Sequence, residues 1–108
     1  MVWGVNRHNR IYRCKKPCRG HWRGVSGTLK QISAGQDEVW GVNRNDNIYY
    51  RPVNGSGRWR RVPGKLKNVS ATQKDYVWGV SNSDDIYYCK KPCRGKWKKV
   101  SGKLTQIN

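Results

Sequence analysis

Two identical pentapeptides, CKKPC, hold the residues of this sequence best suited to covalent or metal chemistry: Cys14 with Cys18, and Cys89 with Cys93. At the corresponding place the stretch between them reads RPVNG (51–55), equal in length and without a thiol. A loop that one copy builds without cysteine does not need a crosslink, so each pair is an addition to it. Three residues between two thiols across a tight loop suit a local disulfide. So small a ring adds only about 2 kcal/mol, and it points to an oxidising compartment. The same spacing lies within the range of zinc ligands, and zinc stands as the alternative reading of the four thiols.

Other chemistry is sparse. His8 and His21 are the two histidines, and neither stands near a Cys pair in a ligand-like pattern. Ser26, Ser33, Ser70 and Ser101 fall in turn or strand-end contexts with no histidine partner implied, so no activated nucleophile is expected. Asp84 and Asp85 are adjacent carboxylates, a weak calcium pattern. The reading is of a non-enzymatic protein with no cofactor and no metal.

Charge says more. The 108 residues carry 23 Lys and Arg against six acids, a formal net charge of +17. Such a surface attracts polyanions, whether sulfated glycans, lipopolysaccharide phosphate or, non-specifically, nucleic acid. Phe is absent while Trp and Tyr number six each, so the aromatic content has polar tips that suit grooves as well as cores. No run approaches about 18 apolar residues, so no membrane insertion is expected. No signal-peptide pattern opens the chain, and secretion would make this a mature form.

These residues are positioned by a repeat. Trp3, Trp40 and Trp78 recur at intervals of 37 and 38 residues, and Trp22, Trp59 and Trp97 keep the same intervals. The extra residue falls within 71–76, which marks a loop. Repeats run over about 2–38, 39–76 and 77–108, in a single domain spanning 1–108. Each offers four short β-type runs, in the middle of the chain 66–71, 77–80, 86–88 and 97–100, separated by Gly-, Pro-, Asn- and Asp-rich turns. No helical apolar period appears. Four antiparallel strands in so few residues is the arithmetic of a propeller blade. The fold class is all-β, a β-propeller with three blades per chain.

The outermost runs, HWRGV, RWRRV and KWKKV, read as charged edge strands that discourage sheet-to-sheet association. The expected total is twelve strands, with complete blades over 29–62 and 66–100. The run 104–107 forms a first strand without a blade, and the blade of residues 2–25 lacks its first strand. Propellers close with four to eight blades, so a strand-swapped obligate homodimer of about 25 kDa is expected, two 12.6 kDa chains closing six blades. The competing explanation is a chain that forms half of a six-repeat protein.

Sugar recognition needs an aromatic face and polar groups for hydroxyls and an acetamide. The loops 6–10, 43–47 and 81–85, with 26–28, 63–65 and 101–103, are expected on one face. They bring Asn6, Arg7, Asn43, Arg44, Asp46, Asn82 and Asp84 near Trp3, Trp40 and Trp78, with Tyr49 and Tyr87 bordering a groove between blades. Tight hairpins also require Asx residues, and the VWGV tryptophans also serve packing. The opposite face collects Lys15, Lys16, Arg19, Lys90, Lys91 and Arg94 as anion-binding candidates.

The phrases VWGVNRNDNIYYRP (39–52) and IYYCKKPC (86–93), with the G-x-W-x-x-V-x-G-K-L pattern, resemble the tectonin β-propeller repeat, in wording close to the fish-egg lectins. That resemblance implies six-bladed propellers that bind N-acetylated sugars and bacterial surface glycans in innate defence. This chain departs from it in having about half the repeats and an unusually basic surface. A secreted, multivalent lectin acting on glycans and bacterial cell-surface polysaccharide, lipopolysaccharide included, is the expectation. The alternatives are a charge-driven binder of heparin-like glycans or nucleic acid, and a truncated half-propeller.

Overall fold

A computed structural model describes all residues, 1–108, and contains eleven strands and no helix. The first blade comprises β1 (Val2–Val5), β2 (Arg10–Cys14) and β3 (Arg23–Thr28). The second comprises β4 (Gln31–Ala34), β5 (Glu38–Val42), β6 (Asn47–Pro52) and β7 (Arg60–Lys65). The third comprises β8 (Asn68–Ser70), β9 (Tyr76–Val80), β10 (Asp85–Lys90) and β11 (Lys98–Lys103). Every blade is an antiparallel meander in chain order, three-stranded in the first and four-stranded in the others. The all-β, half-propeller expectation is what the chain folds into.

Three boundaries differ from those expected. The last strand of each sheet starts after its tryptophan and runs on through Ser26–Thr28, Pro63–Lys65 and Ser101–Lys103, so these segments are strand rather than connecting loop. The ladder survives because the pairing skips residues between Arg10 and Ile11, Asn47 and Ile48, and Asp85 and Ile86. Gly27, Gly64 and Gly102 take φ of 105°, 114° and 116° there, the bulge conformation that glycine tolerates best. The first strand of the third blade is also shorter than the run 66–71. Finally, 104–107 is not a strand, and the count is eleven rather than twelve. A strand exists only when its backbone groups have a ladder partner, and within one chain this segment has none. It nevertheless lies against β8, where the Ile107 N–H donates to Asn68 Oδ1 at 2.9 Å.

The innermost strands are laced together by side chains. Gln31 donates from Nε2 to the Val69 carbonyl and accepts the Val69 N–H at Oε1, both at 2.8 Å. Ser33 Oγ accepts the Ala71 N–H at 2.9 Å. The main core lies between blades two and three, around Trp40, Val42, Ile48, Leu66, Val69 and Val77. A smaller cluster, Trp3, Ile11, Leu29 and Val39, joins blades one and two.

Leu29 and Leu66 lead from one blade to the next, and both are buried. A β-carbon on Gly41 would stand 2.5 Å from Leu29 Cδ1, and one on Gly79 would stand 2.3 Å from Leu66 Cδ1. The repeat partners of these residues are Gly4 and Leu104. Gly4 has nothing within 4 Å of that position, and Leu104 is 42% exposed. One edge of the arc holds the socket and the other the knob.

Candidate functional site

The β1–β2, β5–β6 and β9–β10 turns share one construction. Asn6 Oδ1 accepts the N–H groups of His8 and Arg10, and Asn43 Oδ1 accepts those of Asn45 and Asn47. In the third blade Ser81 Oγ takes the same role for Ser83 and Asp85. Asn9, Asp46 and Asp84 turn the chain at φ of 64°, 65° and 67°, a left-handed conformation to which Asn and Asp are suited. Their carbonyls accept the N–H groups of Leu29's repeat series: Leu29 donates to Asn9, Leu66 to Asp46 and Leu104 to Asp84. Up-down topology therefore places these turns and the blade-to-blade links at one end of the arc, as expected.

Much of the candidate set at that end is occupied by structure. The Asp46 carboxylate pairs with Lys30 and that of Asp84 with Lys67. Trp40 is completely buried, stacked on Tyr50 at 5.0 Å and edge-on to Trp97 at 6.4 Å. Trp3 is also buried, donating from Nε1 to the Val53 carbonyl at 2.9 Å and meeting Trp59 edge-on at 6.0 Å. These two indoles are packing residues. Trp78, half-buried, rests on Tyr88 at 5.3 Å and donates to Gln73 Oε1. Arg7, Arg44 and Asn82 occupy exposed turn tips. Asn82 is thus the repeat partner of the two arginines, not of Asn6 and Asn43.

Two of the candidates meet in a groove. A cavity of about 260 Å³ opens between blades one and two, with Asn43, Tyr49 and Trp59 on one wall and Ile11, Thr28 and Leu29 on the other. Tyr49 and Trp59 supply flat apolar faces. The Oδ1 of Asn43 is occupied by its turn, so its Nδ2 amide remains for a ligand. Trp59 was not legible as a groove residue, because RWRRV read as a solvent-facing edge. The signal was present, since a large indole repeated at the same place in every blade needs a packing partner. That partner is the bulge glycine of the preceding blade: Trp59 over Gly27 and Trp97 over Gly64. Tyr87 is the third-blade counterpart of Tyr49 and packs against the main core.

Half of the same groove recurs at the open edge of blade one. A cavity of about 250 Å³ is lined by Gly4, Val5, Asn6, Tyr12 and Trp22, of which Asn6, Tyr12 and Trp22 are the repeat partners of Asn43, Tyr49 and Trp59. Its second wall is missing, and Trp22 is 46% exposed.

The opposite end carries the disulfide loops. Cys14–Cys18 and Cys89–Cys93 are bonded, with Cα–Cα distances of 5.5 and 5.6 Å, so no cysteine is free for zinc. In the middle blade Arg51 and Gly55 take the places of the two half-cystines. Arg51 Nη2 donates to the carbonyls of Gly55 at 3.0 Å and Gly57 at 2.7 Å. Its guanidinium sits over the rings of Trp3 and Trp59, at 5.7 and 5.3 Å. Burial, reinforced by the nearby charge of Arg13, holds Arg51 below the ordinary arginine range.

The anion-binding candidates do not form one even ring. Lys15 and Arg19 line a basic cavity, whereas Lys16 and Lys90 are simply exposed. Lys91 Nζ is tied to the carbonyls of Ala71 and Gln73 at 3.1 and 2.7 Å. Arg94 lies over the Tyr50 ring at 4.9 Å.

No curated protein matches the chain significantly. The family model of the tectonin domain matches residues 1–108. With its repeated four-strand unit, inter-blade tryptophans and paired turn faces, the chain belongs to the tectonin domain family, a lectin-like β-propeller repeat.

Proposed function

We propose that the chain is a non-enzymatic, secreted glycan-binding module that recognises N-acetylated sugars on bacterial surfaces, lipopolysaccharide included, and acts as a ring of two copies. The observation that carries this reading is the groove between blades one and two. Tyr49 and Trp59 offer the apolar faces on which the C–H side of a sugar ring rests, and Asn43 and Thr28 stand at its polar rim. Its volume of about 260 Å³ suits one sugar ring.

The half-groove supports the two-copy ring. Asn6, Tyr12 and Trp22 lack the wall that Ile86, Gly102, Lys103 and Leu104 of a second copy would provide. Leu104 would cover Gly4 as Leu29 covers Gly41, and Trp22 would close on Gly102 as Trp97 closes on Gly64. The ion pairs that tie each blade-to-blade connector to the turn of the blade it enters change in the same register. Where Lys30 faces Asp46 and Lys67 faces Asp84, the seam would bring Thr105 to Asn9, a neutral pair. Repeated grooves on one rigid ring would raise weak single-sugar affinity by about 10²–10⁴ on a coated surface. The two disulfides suit an extracellular location.

The test is binding to N-acetylglucosamine-terminated glycans at about 50 and 200 mM salt. Groove binding is blocked by free N-acetylglucosamine, lost in Tyr49→Ala and nearly constant across the two salts. Binding that collapses at the higher salt and ignores the free sugar identifies a charge-driven polyanion binder instead.

A further inference from the structure

We propose that the cleft between blades one and two on the disulfide-loop face is a binding site for a phosphate or sulfate monoester carried on a sugar. It is separate from the glycan groove at the other end of the blades and does not depend on it.

A cavity of about 400 Å³ opens there, lined by Arg13, Lys15, Arg19, His21 and Arg23 of the first blade and Asn54 of the second. No Asp or Glu lines it. The ion pairs of the chain all use other cations, Lys30, Lys67, Lys99 and Lys103. The basic groups of the cleft therefore face one another without a counter-charge, an arrangement that an entering anion relieves.

Arg13 is central. Its repeat partners are Tyr50 and Tyr88, which pack against Trp40 and Trp78, so packing at this position is served by a ring. An arginine here forgoes that contact and reaches across to the second blade. Its Nη1 occupies the space above Gly55, 1.3 Å from where a β-carbon would be. Behind it lies Arg51, only 9% exposed, with a buried Nε that has no hydrogen-bond partner. A second cavity of about 510 Å³ shares Arg13 and is lined by Arg51, Arg58 and Trp59, and the Trp59 Nε1 is likewise buried and unpartnered. The Arg13 guanidinium thus joins the cleft to a second-blade pocket that holds two unpartnered donors and no acid, a setting that favours an acceptor-only oxyanion.

The ligand class follows from size and charge. A bare tetrahedral ion would leave most of 400 Å³ empty, whereas a sugar bearing the ester fills it. Planar guanidinium groups bind two oxygens of one such ester at once. Asn54 Oδ1 already accepts from the Ser56 N–H and hydroxyl, so the amide offers the ligand a donor. A terminal monoester exposes three oxygens. A nucleic-acid diester exposes two and carries chain on both sides, so it presents less charge and more bulk to the cleft than a terminal ester.

The test is calorimetric titration of the whole chain at about 150 mM salt, where long-range surface attraction is screened. The probes are a hexose 6-phosphate, the matching 6-sulfate, inorganic phosphate and a phosphodiester-linked dinucleotide without terminal phosphate. Saturable binding of a hexose monoester is expected, and the tighter of the two identifies the ester. Arg13→Ala and, on the exposed strand where folding is not at stake, Arg23→Ala each weaken it at least about tenfold. Lys98→Ala removes the same charge far from the cleft and changes it less than about twofold. Equal losses in Lys98→Ala and Arg23→Ala, equal affinity for inorganic phosphate, equal competition by the diester, or no binding of either monoester would each overturn the site. Titrations repeated in Tyr49→Ala and with saturating N-acetylglucosamine distinguish the cleft from the groove, since hexose monoester binding persists in both.

Discussion

Leu66 fills the space in which a β-carbon on Gly79 would stand, 2.3 Å from its Cδ1. Leu66 is buried, so it has no room to retreat. Gly79→Ala therefore lowers stability by about 1–3 kcal/mol, the usual cost of overpacking a filled core, read by denaturant unfolding. Gly4→Ala, at the repeat-equivalent but open position, leaves the stability of the isolated chain unchanged.

The same substitution at Gly4 has a second consequence if two copies close a ring. It blocks the seat proposed for the second copy's Leu104. Light scattering is expected to give about 25 kDa for the native chain, twice 12.6 kDa, and the single-chain mass for both Gly4→Ala and Leu104→Asp. A folded native monomer at micromolar concentration sinks the two-copy ring.

Arg51 replaces a disulfide by hydrogen bonds. Arg51→Ala leaves the Gly55 and Gly57 carbonyls without their charged donor and removes the group between Trp3 and Trp59. The expected loss is about 1–3 kcal/mol, measured by thermal or urea unfolding. A neutral outcome would mean that the 53–57 loop holds itself.

The two Cys rings are small, and the middle blade does without one. Reduction, or Cys14→Ser with Cys18→Ser, should cost about 2 kcal/mol per ring and leave the β-sheet circular-dichroism spectrum intact. Loss of the fold on reduction would show that the loops cannot close unaided.

Lys103 donates to Asp85 Oδ1 at 2.6 Å. This hydrogen bond, aided by the charges of Lys103 and Lys99 and opposed by desolvation, holds the Asp85 carboxyl below its ordinary 3.8 and raises Lys103 above 10.5. A depressed acid stabilises the fold above its unfolded pKa and loses that effect as pH falls through the folded value. A raised base stabilises below its unfolded pKa and loses that effect as pH rises through the folded one. The Tm deficit of Asp85→Asn should thus hold between about pH 5 and 9 and close on acidification towards about pH 2. A deficit that persists at the acid end would assign the effect to lost packing.

Much of the fold was legible because its causes are local. VWGV and DIYY alternate with the period of a strand, and NRND and SNSD carry the Asx residues that turn it. The strand ends were less legible. Ser26–Thr28 looks like a loop, yet a bulge at Gly27 keeps it in the ladder, and bulges depend on the partner strand. The segment 104–107 has strand character and no strand geometry, since pairing is a property of two segments.

The site divides in the same way. Spacing marks Asn6, Asn43, Asp46 and Asp84 as turn residues, and the structure commits most of their polar atoms to turn hydrogen bonds and ion pairs. Trp59 and Arg13 went unrecognised as lining residues because each is defined by what faces it: Gly27 for one, Gly55 and Arg51 for the other. Sequence alone determined that the chain makes β-meander blades and how often they repeat, because hydrophobic alternation and turn chemistry act over a few residues. Tertiary structure alone decided which wall meets which. The groove and the basic cleft both lie between consecutive sheets, and the packing of Leu29, Leu66 and the indoles sets how one sheet sits against the next.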